Sequence, residues 1–206
     1  DRTLALPILE LLKGHPRAIV TGLLVTSLGA ATVSLLYLFM NSYLTQFLKY
    51  GTDTAATAGL VAIVLFSLPM PVAGHLADRF GLKWPATLAA LLLAGSAIPI
   101  YVWIGADEAS ALPALAVISV IAAFAWGIGP VVLTAIFPTD VRYTGIAFVY
   151  NLAFAIVGGL TPVTATYLIG STGSVMPPAW LLAGFAVLGA IGALTARVLE
   201  APVKRS

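Results

Sequence analysis

The 206-residue sequence has no cysteine, and its eight acidic and ten basic residues leave it with very little charge. Without cysteine there is no disulfide, no thiolate metal site and no thiol nucleophile. Charged residues make up 9% of the chain, against about 25% in soluble domains, so the chain cannot cover a water-facing surface. The net charge of +2 is too small to argue for a nucleic-acid partner, and the basic residues are scattered through turns. Histidine is nearly absent: His15 and His75 are both expected at the membrane surface. With no Gly-x-Ser-x-Gly and no His-Glu-x-x-His, a membrane enzyme lacks its nucleophile–base pair or metal cluster. No filter-like sequence suggests a channel. The first 13 residues are mixed and lead into a full-length apolar run, so no secretory leader is expected. The chain begins at Asp1 rather than Met, which suggests a fragment of a longer polypeptide.

What the sequence does have is apolar length. Hydrophobic residues make up 60% of it, and the mean hydropathy is +1.04. About 20 apolar residues in a helix cross roughly 30 Å of hydrocarbon. Six such spans are expected at about 18–48, 54–77, 84–104, 112–136, 145–169 and 179–197. Backbone groups in lipid must be bonded within the segment, so the spans are helices. Barrel strands would be about half as long and alternate in polarity. The first span is too long for one straight crossing, so tilt or a break near its end is expected. Nine of the ten basic residues (Arg2, Lys13, Arg17, Arg79, Lys83, Arg142, Arg197, Lys204 and Arg205) fall on one side of this topology. Lys49, Asp107 and Glu108 fall on the other, so the positive-inside rule puts both termini in the cytoplasm.

Three spans carry a stripe of small or polar residues at steps of three or four, which puts each set on one helix face. The first runs Ser27, Ala30, Ser34, Tyr37, Asn41; the fourth Ala123, Trp126, Pro130, Thr134; the fifth Asn151, Ala155, Gly158, Pro162. Small and hydroxylated residues are the usual adhesive between membrane helices, so helix contact is one reading of the stripes. The other is that Tyr37, Asn41, Trp126, Tyr150 and Asn151 look into a water-accessible substrate path, with Asn151 and Trp126 favoured. An unpartnered buried amide is costly, and an indole offers a stacking face to a cationic or planar solute. Pro69, Pro71, Pro99, Pro130 and Pro162 lie inside spans and favour kinks. Gly158, Gly159 and Pro162 are the hinge candidates, because broken midplane helices make sites and gates in transporters.

Between the second and third spans lies Gly74-x-x-x-Asp78-Arg79-x-Gly81-x-Lys83, read as a short membrane-surface turn with two turn-forming glycines. Phe137-Pro138-Thr139-Asp140-Val141-Arg142-Tyr143-Thr144-Gly145 follows the fourth span, with Tyr150-Asn151 and Gly158-Gly159-x-x-Pro162 beyond it. The first motif resembles the cytoplasmic signature of the major facilitator superfamily. With the second, and with the lead-in Leu11-Leu12-Lys13-Gly14-His15-Pro16-Arg17-Ala18, the chain is similar to the metabolite:proton symporter family. That family includes proline/betaine, α-ketoglutarate, citrate and shikimate permeases. The resemblance covers nearly the whole chain and only the carboxy-terminal six helices of such a transporter. Leu82 departs from the pattern, since a basic residue is usual there, but the Asp-Arg core remains.

The resemblance implies that Gly74, Asp78, Arg79, Gly81 and Lys83 form a cytoplasmic gating motif, with Asp78 and Arg79 latching onto a helix end of the other half. A surface carboxylate can accept bonds from orphan helix amides and complement the helix dipole, a contact worth about 0.3–1 kcal/mol when exposed. The plainer reading is that these charges only enforce topology and a tight turn. Arg142 is expected either to face the absent half's copy of the motif or to snorkel at the interface.

The expected fold is an all-α integral membrane bundle of six transmembrane helices, the carboxy-terminal bundle of a major facilitator superfamily fold, built as two inverted three-helix repeats. Residues 1–17 are expected to be a cytoplasmic inter-bundle linker, 18–197 the bundle and 198–206 a cytoplasmic tail. The third and sixth spans carry no convergent polar set and are expected to face lipid or support the others. The expected function is half of a non-enzymatic secondary active transporter in the plasma membrane, moving a small polar metabolite or osmolyte with protons. The rival is a non-transporting six-helix protein that binds or regulates another membrane protein. Proton coupling needs a titratable group inside the membrane. Every Asp, Glu and His is expected at a span end or in a loop, so the proton acceptor should lie in the missing amino-terminal half. With no Arg or Lys buried, zwitterions or weak acids are favoured as substrate over strong anions. The partners expected are substrate, protons, membrane lipid and that half; no cofactor or metal is implied.

Overall fold

The computed structural model describes residues 7–197, which are helical throughout apart from short turns. Arg2, Lys204, Arg205 and the expected tail at 198–206 lie outside the described residues. A short helix, α1 (Pro7–Gly14), precedes six helices long and apolar enough to cross a membrane. They are α2 (Pro16–Leu38), α3 (Thr52–Phe80), α4 (Lys83–Ile104), α5 (Glu108–Ile136), α6 (Arg142–Thr172) and α7 (Pro177–Thr195). The fold is therefore the all-helical membrane bundle that composition demanded.

Some helix irregularities stand beside prolines, but the widened turns after Val33 have none, and Pro99, expected to favour a kink, sits in unbroken helix. α2 is regular to Val33 and then widens into an i→i−5 turn over Ser34–Leu38, closed by Phe39 N–H donating to Ser34 O at 2.8 Å. A short helix, Met40–Ser42, and a second wide turn, Tyr43–Phe47, carry the chain on to the next loop. This is the break anticipated near the end of the first span. α3 is interrupted at Leu68–Pro69 and α5 at Ile128, just before Pro130, because proline lacks an N–H and crowds the preceding turn. α6 widens over Phe154–Gly158.

α2 and α5 form the middle of the bundle, with 67% and 56% of their apolar stretches buried. α4 and α7 pack against one another, and α7 also lies along α2. Close approach of α7 to α2 rests on glycine: a Cβ on Gly189 would sit 2.7 Å from Leu28 Cβ, and one on Gly192 2.9 Å from Leu24 Cβ. α4 and α7 thus support the rest of the bundle, with 39% and 44% buried. The least covered helices are instead α3 at 22% and α6 at 17%.

Gly74 departs from the expected turn. Gly74 sits inside the helical segment Met70–Phe80, with open space around its Cβ position, so it forms no turn and no close approach within this chain. The α3–α4 turn is made by Gly81 alone, whose φ of +79° lies in the region that favours glycine.

Candidate functional site

The bundle has two chemically different ends and a packed middle. At one end stand the starts of α2, α4 and α6 and the finish of α3, α5 and α7, which together hold Lys13, Arg17, Arg79, Lys83, Arg142 and Arg197. Asp78, Arg79 and Lys83 are exposed, and the Arg79 guanidinium lies 5.5 Å from the Phe80 ring centroid. Arg142 is tied to the loop that precedes it. It is half-buried and closes its own loop, with Nε donating to Phe137 O at 3.2 Å and Nη2 to Thr139 Oγ1 at 3.4 Å. A Cβ on Gly145 would stand 2.6 Å from the Phe137 ring, so the motif's final glycine lets α6 begin against that same loop.

The opposite end is stapled. Glu108 Oε1 accepts from Gly51 N at 2.9 Å and from Thr54 Oγ1 at 2.6 Å, joining the α2–α3 loop to the start of α5. Asp107 caps α5 through Ser110 N at 2.9 Å. Tyr50 Oη donates to Ile104 O at 2.8 Å, satisfying a terminal carbonyl of α4, and Tyr43 Oη donates to Val175 O at 2.9 Å. Partial burial and the carboxylates of Asp107 and Glu108 push the Tyr50 phenol above its usual range, which favours the protonated donor.

In the middle, the two widened segments meet. Pro162 has no N–H, and the carbonyl four residues before it, the α-helical acceptor for that position, belongs to Gly158. Ser34 Oγ of α2 donates to this carbonyl at 2.8 Å. A hydroxyl of one widened helix thus replaces the donor that proline removes from the other, and the hinge candidates Gly158 and Pro162 are joined to Ser34. Gly158 is half-buried, and a Cβ there would lie 3.3 Å from Ser34 Oγ. Gly159, one residue on, faces open space. Thr161 Oγ1 donates to Val157 O, a further local tie in the same segment.

Trp126 is packed rather than open to a path. Only 7% exposed, its indole fills a slot where a Cβ on Gly29 would come within 2.3 Å and one on Gly129 within 2.7 Å. Tyr150 and Phe154 cover it at 6.4 Å between ring centroids, and are themselves stacked at 4.4 Å. Asn151 is exposed, and its Nδ2 donates to Ala147 O one turn back at 2.8 Å. It lies in a shallow groove on the outer surface of α6, with Tyr143, Thr144 and Ala155. Asn41 is exposed near the far end of α2. Tyr37 is half-buried, 4.8 Å from Phe66 between ring centroids, with its hydroxyl toward Ser119 of α5. The hydroxyls of Tyr37, Tyr101 and Ser119 are buried without a hydrogen-bond partner.

The sequence offered Ser34 only as one member of the α2 stripe, and Gly29, Tyr101 and Ser119 not at all. For Ser34 the signal was present, since a midspan proline orphans the carbonyl four residues back and Ser34 stood on the α2 stripe. For the others only the fold supplies the contact. Among the described residues no group of three or more His, Asp or Glu converges on a metal site, and every described acid is exposed.

The sequence pattern described as "Sugar (and other) transporter" matches residues 5–198. The chain belongs to this transporter family. Within it, the chain is 33% identical over 165 residues to the proline/betaine transporter of Escherichia coli (strain K12), covering 80% of this chain and 33% of that protein. It is 29% identical to the glycine betaine/proline/ectoine/pipecolic acid transporter of Dickeya dadantii (strain 3937), over 79% of this chain and 32% of that one. It is 27% identical to the citrate-proton symporter of Klebsiella pneumoniae, over 84% of this chain and 39% of that one. These relatives are of the kind that the cytoplasmic motifs suggested. The chain spans about a third of the length of the relatives it matches. No solved structure matches it.

Proposed function

We propose that this chain is one six-helix lobe of a secondary active transporter for a small polar metabolite or osmolyte, working by alternating access against a second lobe. The observation that carries this reading is the pair of thinly covered helices, α3 and α6, flanking a well-buried middle. Their exposure includes Tyr150, Asn151 and Tyr167 of α6 at membrane depth. A polar side chain facing hydrocarbon is costly, so this face suits a water path or another protein surface. Membership of the transporter family supports the same reading.

In the mechanism, the end bearing Arg79 and Lys83 faces the cytoplasm of the plasma membrane, as the nine-to-one split of basic residues favours. Gly74, whose Cβ position meets nothing in this chain, leaves room for the second lobe to approach the Asp78–Arg79 hairpin. The Ser34–Gly158 junction is the pivot, where a hydroxyl of one widened segment bonds a carbonyl of the other. Trp126, Tyr150 and Phe154 form a stiff wall beside it. Coupling is to protons, and the acceptor lies outside the described residues, whose acids all stand at helix ends or in loops. Zwitterions are the preferred substrates: the described residues offer no buried cation to a strong anion, and the relatives named above include proline/betaine transporters.

The test is uptake by the full-length protein in proteoliposomes. Proline or glycine betaine accumulation driven by an inward proton gradient is expected. Gradient-independent equilibration, or no uptake of any zwitterion, would contradict the proposal.

A further inference from the structure

A cavity of about 1060 Å³ opens at the basic end of the bundle, between α2, α4 and α7, away from the hinge and the aromatic wall. Three permanent cations from three helices line it: Arg17 at the start of α2, Lys83 at the start of α4 and Arg197 just past the end of α7. His15, which precedes α2, lines it as well. No carboxylate is among the described residues that line it. The three cations are exposed and share one rim, which makes the mouth of the cavity positive and attractive to an anion.

Most of the rest of the wall is apolar, with Thr21 and Thr195 among it, and it runs in one direction. Arg17 to Leu24 on α2 is seven residues, and Arg197 back to Ile191 on α7 is six. At 1.5 Å per residue each wall descends about 10 Å from the cationic rim into the membrane. Leu194 lies between the rim and Ile191. A free inorganic anion would use the rim and leave this apolar wall bare. An anionic phospholipid would use both, with its phosphate among the cations and the first part of an acyl chain against Leu24, Ile191 and Leu194. Basic pockets between membrane helices on the cytoplasmic side are suited to such headgroups.

We propose that this cavity is a binding site for an anionic phospholipid of the inner leaflet. The choice of leaflet rests on the cytoplasmic placement of the basic end; the site itself does not. The lipid bridges the first and last helices of the lobe, tying the start of α2 to the end of α7 through one phosphate.

The experiment is native mass spectrometry of the full-length protein released from nanodiscs of mixed phosphatidylcholine and phosphatidylglycerol. Preferential retention of phosphatidylglycerol is expected. Arg17→Gln, Lys83→Gln and Arg197→Gln should each reduce retention about fivefold, the weight of one basic residue near a charged membrane surface. Lys13→Gln removes a cation from the same end that does not line the cavity, and retention should not change. Leu194→Trp fills the apolar wall while keeping every charge, and it too should lower retention; it stays informative if a charge variant fails to fold. Equal retention in the site variants and Lys13→Gln would overturn the proposal. So would loss of phosphatidylglycerol to competing inorganic phosphate with Leu194→Trp having no effect, which would mean a soluble anion site. A rise in retention on deleting 198–206 would mean that this segment is the occupant, which also overturns it. Sidedness is read separately by labelling in cells, so an inverted lobe and an absent lipid site give distinct results.

Discussion

Replacing Ser34 by alanine removes one oxygen and tests how the hinge is held. Ser34 is 2% exposed, so no solvent stands ready to replace its hydroxyl. A buried acceptor left without a donor costs about 1–3 kcal/mol in soluble proteins. Hydrogen bonds between membrane helices average about 0.6 kcal/mol and reach about 1.7, because the chain finds other partners in the unfolded membrane state. The Gly158 carbonyl belongs near the upper end of that range, since Pro162 has already taken away its helical donor. Ser34→Ala should therefore cost about 1–1.7 kcal/mol. The decisive partner is Pro162→Ala, which restores an N–H four residues after Gly158. In that background the serine is redundant, and Ser34→Ala should cost less than about 0.5 kcal/mol. The measurement is a double-mutant cycle on unfolding of the full-length protein in mixed micelles, with a coupling of about 1 kcal/mol expected. Equal cost of Ser34→Ala in both backgrounds would refute the claim that serine substitutes for proline's missing donor.

Further outcomes follow from neighbouring contacts. Gly29→Ala puts a Cβ 2.3 Å from the Trp126 indole and should destabilise the protein by about 1–3 kcal/mol or more, while Gly95→Ala, in open space, should be near neutral in the same unfolding assay. Gly158→Ala presses on Ser34 Oγ at 3.3 Å and should slow uptake; Gly159→Ala should not, and equal effects would argue against the pivot. Glu108→Gln weakens the acceptor shared by Gly51 N and Thr54 Oγ1, so the Gly51 amide should exchange hydrogen faster, with the amides of α6 unaffected.

The sequence disclosed the fold because bilayer thickness and backbone bonding leave few options for runs this long and apolar. Loop punctuation was equally legible: Gly81, Asp107 and the Pro138–Arg142 stretch all fall in turns or at helix starts. The site was legible only in part. Helical periodicity placed Trp126 on a polar stripe, yet whether an indole faces water or a glycine slot depends on Gly29, nearly one hundred residues away. Asn151 is expected to face a water-accessible path; it is exposed, and the bond its amide makes is to the α6 backbone one turn back. Gly74 was read as a turn because it stands in a loop motif, but helix continues through it to Phe80. The Ser34–Gly158 bond links residues 124 apart, and only proline's backbone arithmetic pointed toward it.

The arrangement of the lobe in the membrane is tested most directly by thiol accessibility in intact cells. Arg79→Cys and Lys49→Cys, placed singly in the full-length protein freed of other accessible cysteines, are reacted with a membrane-impermeant maleimide. The account predicts labelling at position 49 in intact cells and at position 79 only after permeabilisation. Labelling at 79 from outside, with 49 protected, would contradict it.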